Sequence, residues 1–285
     1  MEELRSSLAV YAYNILGSYE DAKDVVQDVF LKFAQLDPGH IKEKKSYLIR
    51  MVVNLAIDQK RKQKKRLADY PGNWLPEPVA TDDPQTPVHR KQILSYSLMV
   101  LLEKLDSKQR AVFILKEAFD YDHGEIAEVL GITIENSRKI LSRAKQELQG
   151  TGAARPEKKQ QEAVNIYLSA IQSGDMKKLE QLLNDDITVT SDGGGKAPAF
   201  RNIIRGIQSV SALLSGLYKK IYHKGQVEIA WVNYQPAIFY SFENKIITCQ
   251  IFSLKDGKID RIFFMRNPDK LNHLQKISVK GVTFS

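Results

Sequence analysis

The stretch EIAEVLGITIENSRK, residues 125–139, decides the fold of the helical half of this chain. Its first part carries apolar residues at helical spacing and ends at Gly131, which can adopt the left-handed backbone angle that reverses the chain. Thr133 is the expected N-cap of a second helix, which begins polar and becomes basic. The pattern predicts a helix-turn-helix whose second helix reads DNA. A helical hairpin that serves only as a packing unit is the alternative.

The composition indicates a folded, basic protein. The chain has 285 residues, of which 43% are hydrophobic, and a formal net charge of +8. Its length predicts two or three domains, and its charge favours a polyanionic partner, nucleic acid before membrane. The one cysteine, Cys249, excludes an intrachain disulfide and a zinc site built from several cysteines, and no metal or cofactor is expected. Neither a signal peptide nor an apolar run of ~18–20 residues occurs, so we expect a cytoplasmic or nuclear protein.

Residues 1 to about 66 are predicted to be wholly helical. Ser18 is the expected cap of the second helix, and Asp37-Pro38-Gly39 ends it. The third helix runs into residues 60–66, six of which are Lys or Arg. We expect this helix to contact nucleic acid, because its polar side chains share one face and its cations can neutralise phosphates. A solvated charged face is the alternative. The candidate contacts are Tyr47, Arg50, Asn54, Asp58, Lys60 and Arg61.

The rest of the chain divides into segments that differ in composition and in hydrophobic pattern. Five prolines between residues 69 and 88 preclude a long helix and predict a linker over 69–89. A second helical domain is expected over 90–150, ending at Gly150-Thr151-Gly152. The region 155–285 is predicted to begin with helices near 163–171 and 179–183 and to continue as an α+β domain with a curved sheet. Its strands are expected at 187–190, 226–232, 237–240, 246–254 and 258–265, with Asp256-Gly257 as a hairpin turn.

Taken together, residues 1–148 resemble a group 4 (extracytoplasmic-function, ECF) bacterial RNA polymerase sigma factor. The resemblance rests on DAKDVVQDVFL at 21–31, on YLIR and NLAID within 47–58, and on LDSKQRAVF at 105–113 followed by the helix-turn-helix. It implies a cytoplasmic protein with a region 2 domain over 1–68 that reads the −10 element and a region 4 domain over 90–150 that reads the −35 element. The implied partners are promoter DNA and core RNA polymerase, the latter through its clamp and flap surfaces.

The same resemblance assigns candidate contact residues. The implied polymerase contacts are Asp21, Asp24, Val25, Gln27, Asp28, Phe30 and Leu31. The implied −35 contacts, which also share the helical face expected to be exposed, are Asn136, Ser137, Arg138, Lys139, Ser142 and Arg143.

Three short motifs resemble the signatures of the ECF41 group, whose members carry a C-terminal SnoaL/NTF2-like cone. They are WLPEP at 74–78, DGGGK at 192–196 and NPDKL at 267–271. We expect the cone to bind the linker and regulate the helical domains in cis, with Asp269 capping a helix and Lys270 pairing with an acid. The candidate regulatory residues are Trp74, Leu75, Pro76, Glu77, Pro78, Asp192, Gly193, Gly194, Gly195, Lys196, Asn267, Pro268, Asp269, Lys270 and Leu271.

Two rival functions stay open on the sequence. One is a helix-turn-helix repressor with a ligand-sensing cone, although the sequence names no ligand. The other is an isomerase-like enzyme with Asp192 as general base and a pocket lined by Tyr234, Tyr240, His223 or Trp231. A glycine-rich loop suits close docking better than a rigid base, so no catalytic residue is assigned and no covalent chemistry is expected.

Overall fold

The computed structural model describes residues 2–36, 41, 43–81, 92–148 and 159–276. The chain forms two compact units. The first comprises Met1–Ala68 and Gln85–Gly152, and the second comprises Asp69–Pro84 and Ala153–Ser285. The predicted helix end at Asp37-Pro38-Gly39, the linker segment 82–89 and the domain ends near residues 90, 150 and 155 lie outside the described residues. Within those residues, no helix is long and apolar enough to cross a membrane.

The first unit begins with three helices. They are α1 (Glu2–Leu16), α2 (Tyr19–Ala34) and α3 (Lys44–Arg66). Gly17 has a φ of 72° and reverses the chain after α1. The Ser18 hydroxyl then caps α2 by accepting a hydrogen bond from the Asp21 amide at 3.2 Å. A short 3₁₀ turn, Leu67–Asp69, follows α3.

Four more helices follow in the described part of the first unit. They are α4 (Tyr96–Leu101), α5 (Ser107–Glu117), α6 (His123–Leu130) and α7 (Ile134–Glu147). Gly131 ends α6 with a φ of 62°, and the Thr133 side chain caps α7. The predicted helix-turn-helix is therefore present, with both turn residues in the predicted roles.

The second unit packs helices against a curved sheet. The helices are α8 (Lys159–Ser173), α9 (Met176–Leu182), α10 (Ile207–Lys220) and α11 (Pro268–Leu271). The strands are β1 (Leu183–Asp192), β2 (Ile204–Arg205), β3 (Gln226–Val232), β4 (Gln235–Phe242), β5 (Lys245–Lys255) and β6 (Lys258–Met265). Their order in the sheet is β2-β1-β6-β5-β4-β3, and only β1 and β6 pair in parallel among the described strands.

Side chains on both faces of this sheet are buried. Side chains such as Tyr240, Phe252 and Phe264 point to one face, where they form a core with α8 and α10. Their neighbours on each strand, such as Cys249 and Phe263, point to the opposite face because side chains alternate along a strand, and they too are buried. The α+β cone is thus confirmed, and Asp256 and Gly257 form the predicted hairpin turn with φ values of 53° and 77°. The helix α10 was not predicted.

Candidate DNA interfaces and the linker docking site

The helix α7 presents five of its six predicted DNA contacts to solvent. Ser137 is the exception, because its side chain is 0% exposed and its Oγ lies 2.9 Å from Nδ1 of His123 on α6. Burial, Lys116 and Arg138 lower the pKa of that imidazole. Ser137 therefore joins the two helices of the motif and does not belong to the exposed face. That face consists of Asn136, Arg138, Lys139, Ser142 and Arg143.

The helix α3 also exposes most of its predicted contacts, namely Tyr47, Arg50, Asn54, Asp58 and Arg61. Arg61 donates to Asp58 at 3.0 Å, as exposed residues one helical turn apart commonly do. The Asn54 side chain donates to the Arg50 carbonyl and to the Val129 carbonyl of α6, both at 2.8 Å. Part of the hydrogen-bonding capacity of Asn54 is thus used by the protein itself.

Lys60 was predicted as a DNA contact, but it is 0% exposed. Its ammonium donates to the Leu16 carbonyl at 2.9 Å and to both carboxylate oxygens of Glu103 at 2.9 and 2.8 Å. Burial, and then the charge of Arg110, lowers the pKa of Lys60 to about 7, although Glu103 acts in the opposite direction. In this structure Lys60 is therefore a buried structural residue, and its burial prevents direct contact with a phosphate.

The helix α2 presents a mixed acidic and apolar face. Asp24, Gln27, Asp28 and Leu31 are exposed, and Leu31 is 56% exposed, the largest fraction among the large hydrophobic residues that the structure describes. Val25 was predicted as a polymerase contact, but it is 1% exposed because it packs in the three-helix core. Asp21 and Phe30 are half-buried at the edge of this face.

In the second unit, Asp192 holds the linker against the end of β1. Its carboxylate is 0% exposed and accepts four hydrogen bonds. One oxygen accepts from the Tyr70 hydroxyl at 2.6 Å and from the Gly194 amide at 2.9 Å. The other accepts from the Leu75 amide at 2.9 Å and from the Lys270 ammonium at 2.7 Å. Both oxygens are fully engaged and shielded from solvent, so this geometry does not suit a general base.

Lys270 connects all three sequence motifs. Besides its bond to Asp192, its ammonium donates to the Leu75 carbonyl at 2.5 Å and lies 4.2 Å from the centre of the Trp74 ring. The expected pairing of Lys270 with an acid is therefore seen, and the acid is Asp192. The cap of α11 is Asn267, while Asp269 pairs with Lys196 at the surface.

The glycines of the DGGGK loop allow the linker to approach closely. Gly194 and Gly195 have φ values of 61° and 71°. A Cβ atom on Gly195 would lie 2.8 Å from Pro71, and one on Gly194 would lie 2.3 Å from Asn267. Any other residue would therefore meet both an unfavourable backbone angle and a steric clash at these positions.

The second half of the linker is bound by residues that the sequence did not single out. His273 lies 2.9 Å from Glu77 and 2.5 Å from the Pro78 carbonyl. Asn233 exchanges two hydrogen bonds with the backbone of Val79, at 2.8 and 2.9 Å. The next residue, Ala80, forms an antiparallel bridge with Val232. Residues 75–80 are all buried, so the WLPEP motif is an integral part of the second unit.

Two residues proposed to line an enzyme pocket lie in different surroundings. Tyr240 is 1% exposed and stacks on Tyr222 with their ring centres 4.1 Å apart. His223, in contrast, is exposed in the turn after α10. The four hydrogen bonds to the Asp192 carboxylate described above come from other residues than those named for the isomerase alternative.

Comparisons with known proteins identify two families that match the helical half of the chain. The Sigma-70 region 2 family matches residues 1–66, and the Sigma-70, region 4 family matches residues 95–148. The ECF RNA polymerase sigma factor SigJ of Mycobacterium tuberculosis is 30% identical over 94% of this chain and 91% of its own length. The probable ECF RNA polymerase sigma factor SigI of the same species is 23% identical over 95% of this chain and 93% of its own.

The similarity extends to the fold over most of the chain. The crystal structure of M. tuberculosis SigJ superposes with a TM-score of 0.78 at 29% identity, covering 94% of this chain and 96% of that one. These matches cover most of the chain and do not favour a stand-alone repressor. The chain belongs to the extracytoplasmic-function family of RNA polymerase sigma factors.

Proposed function

We propose that this sigma factor directs core RNA polymerase to promoters by reading the −10 element with α3 and the −35 element with α7, and that its C-terminal unit regulates it in cis through the linker. The observation that carries the regulatory part is the burial of the linker motif around Asp192. The protein itself catalyses no covalent step in this proposal.

The DNA contacts are proposed from the exposed faces of the two helices. Arg138 and Arg143 can donate in pairs to guanine or to phosphate, and Asn136 can read an adenine edge. On α3, Arg50 and Arg61 are suited to phosphates, whereas Asn54 and Tyr47 can bind or stack on an unpaired base. Ser137 and Lys60 are left out of these sets because both are buried.

The polymerase contact is proposed from α2. Asp24 and Asp28 lie one turn apart, and the exposed Leu31 lies one turn further along the helix. An apolar residue flanked by acids is the arrangement expected for docking on a basic protein surface with an apolar centre. The clamp of core polymerase is the surface that we assign to it, and region 4 would contact the flap.

The proposed cis regulation acts through the length of the tether between the two DNA-reading domains, which docking of the linker shortens. Residues 70–81 are held by the second unit, and fully extended they would span roughly 40 Å. This segment lies between the two DNA-reading domains in the sequence, so its release would lengthen the tether that joins them. We therefore expect docking to restrict the distance between the −10 and −35 elements that the protein tolerates.

Run-off transcription on promoters of graded spacer length tests this proposal. With core polymerase, the wild-type protein is expected to give discrete transcripts with a sharp spacer optimum. Asp192→Ala should release the linker and broaden the optimum, whereas Asp269→Ala, which removes an exposed ion pair only, should leave it sharp. An unchanged optimum in an Asp192→Ala protein whose linker has become sensitive to protease would refute the cis mechanism. Absence of any wild-type transcript would contradict the promoter assignment itself.

A further inference from the structure

Within the first unit, a buried charge cluster joins the two DNA-reading domains. Glu103, which precedes α5, accepts hydrogen bonds from Lys60 of α3 and from Arg110 of α5. The side chains of Lys60 and Arg110 are 1% and 0% exposed, and that of Glu103 is 19% exposed. Lys60 belongs to the part of the chain that matches region 2, and the other two residues belong to the part that matches region 4.

The same two cations also bind the end of α1. Lys60 donates to the Leu16 carbonyl at 2.9 Å, and Arg110 donates through Nε to the Asn14 carbonyl at 3.0 Å. The last carbonyls of a helix lack intrahelical partners and carry partial negative charge, so they favour cations. Arg110 thereby reaches from region 4 into the core of region 2, and Glu103 balances part of the positive charge that is buried there.

We propose that the cluster of Lys60, Glu103 and Arg110 is a latch that holds regions 2 and 4 together in a closed arrangement unable to read a promoter, and that engagement of polymerase and promoter opens it. This inference rests on the proposed DNA readers. It adds a second restraint, distinct from the docked linker, that lies between the reading domains themselves.

The distances show why the closed arrangement cannot read both elements. The −35 and −10 elements are about 25 base pairs apart, which is roughly 85 Å along B-DNA at 3.4 Å per base pair. In the structure Asn54 of α3 touches the Val129 carbonyl of α6 at 2.8 Å, and α6 packs directly on α7 through Ser137 and His123. Helices in direct contact lie about 10 Å apart, so the two readers are within a few helix diameters of each other.

Other contacts across the same boundary are consistent with a specific closed state. The Tyr11 ring of α1 stacks on Phe119 with ring centres 3.7 Å apart, and its hydroxyl lies 3.3 Å from that of Tyr121. Lys64 donates to the Leu105 carbonyl at 2.5 Å. Glu103 of the cluster is the best residue to test, because its removal leaves the buried side chains of Lys60 and Arg110 without their shared carboxylate.

Energy transfer between two dyes measures the closure directly. Lys32→Cys on α2 and Gln146→Cys on α7 place labels on exposed positions outside the proposed contact sets. The native Cys249 is buried, and burial raises the pKa of its thiol, so it should not take up dye. In the free labelled protein we expect high transfer, which Glu103→Gln should lower by increasing the open population at least tenfold.

Two further variants separate a latch from a general loss of structure. Replacing the whole cluster, by Lys60→Met with Glu103→Leu and Arg110→Met, should restore high transfer, because apolar side chains of similar volume can pack at the same junction and no unpaired charge remains buried. Glu117→Gln removes an exposed ion pair within region 4, with Lys145, and should leave transfer unchanged. A folded Glu103→Gln protein, judged by its helical circular dichroism, that keeps wild-type transfer would overturn the latch.

A measurement on the labelled protein without latch variants keeps the proposal testable if Glu103→Gln does not fold. Adding core polymerase and promoter DNA should lower transfer as the readers separate. If transcripts appear while transfer stays high, the latch is wrong and the sigma function stands. If no transcript appears on any promoter, the proposed DNA reading fails independently of the latch.

Discussion

Substituting Asp192 by Asn should detach the linker, because the amide cannot satisfy the four donors that the carboxylate binds. The oxygens of Asp192 each accept two hydrogen bonds, one pair from Tyr70 and Gly194 and the other from Leu75 and Lys270. An asparagine offers one oxygen, and its NH₂ group would face two donors. The charge that balances the Lys270 ammonium, whose side chain is only 12% exposed, would also be lost.

The size of the effect can be estimated from this geometry. Removing one partner of a buried ion pair costs about 3–5 kcal/mol. For a domain of this size each kcal/mol corresponds to roughly 2–4 °C, so the unfolding temperature of the second unit should fall by roughly 6–20 °C. Differential scanning calorimetry measures this shift, and limited proteolysis at the linker shows whether the segment has been released.

A matched substitution controls for the loss of a carboxylate as such. Asp269→Asn breaks the pair with Lys196, whose two side chains are each 58% exposed. Exposed pairs contribute about 0–1 kcal/mol, so this variant should unfold within a few degrees of the wild type. The reasoning fails if Asp192→Asn also stays within a few degrees while its linker remains resistant to protease.

Three other results are expected. Arg138→Ala should weaken binding of the polymerase complex to promoter DNA by roughly 1–3 kcal/mol and reduce the salt dependence of that binding, as titration at several salt concentrations would show. If Ser137→Ala changed the salt dependence in the same way, this would contradict the buried position of the Ser137 hydroxyl. Gly195→Ala should destabilise the second unit by about 1–3 kcal/mol in calorimetry, since it adds a clash with Pro71 at a φ of 71°, and a neutral result would mean that the linker is not held there. The pKa of Lys60, which Glu103, Arg110 and Lys64 face, is about 7 in the closed form against an ordinary value of 10.5, so the closed form binds fewer protons than the open form between these pH values. The closed form should therefore gain at most about 1.4 kcal/mol of stability per pH unit as the pH rises from 7 toward 10.5. Energy transfer that falls between pH 7 and 9 would contradict this sign.

The sequence predicted what depends on local chemistry. Gly131 and Thr133 fill positions whose backbone angles and capping bonds few other residues satisfy, so the turn could be placed to the residue. Asp256-Gly257 is a similar case, because both residues tolerate a positive φ. The helix α10 was missed although Val210, Leu214 and Leu217 have helical spacing, since the surrounding segment was interpreted as part of a strand-rich region.

The direction of individual side chains was harder to predict. Val25, Lys60 and Ser137 were each predicted to contact a partner, and each is buried. Their orientation depends on which neighbour covers the helix, and for Lys60 that neighbour is Glu103, 43 residues away. The same holds for Tyr70, Asn233 and His273, which bind or lie within the docked linker but have no local pattern that marks them. Contacts between distant segments leave little trace in one sequence.

The two restraints in this chain use the same chemistry for different segments. In each, a buried lysine meets a carboxylate and a main-chain carbonyl, Lys270 with Asp192 in one unit and Lys60 with Glu103 in the other. Buried pairs are screened by salt much less than exposed charges, whereas binding to DNA phosphates weakens steeply as salt rises. Free protein should therefore remain restrained under conditions that abolish its DNA binding. The restraint of the free protein and its binding to DNA are therefore physically separable. Opening of the closed form requires a partner that supplies contacts of its own, and polymerase and promoter have this role in the proposal.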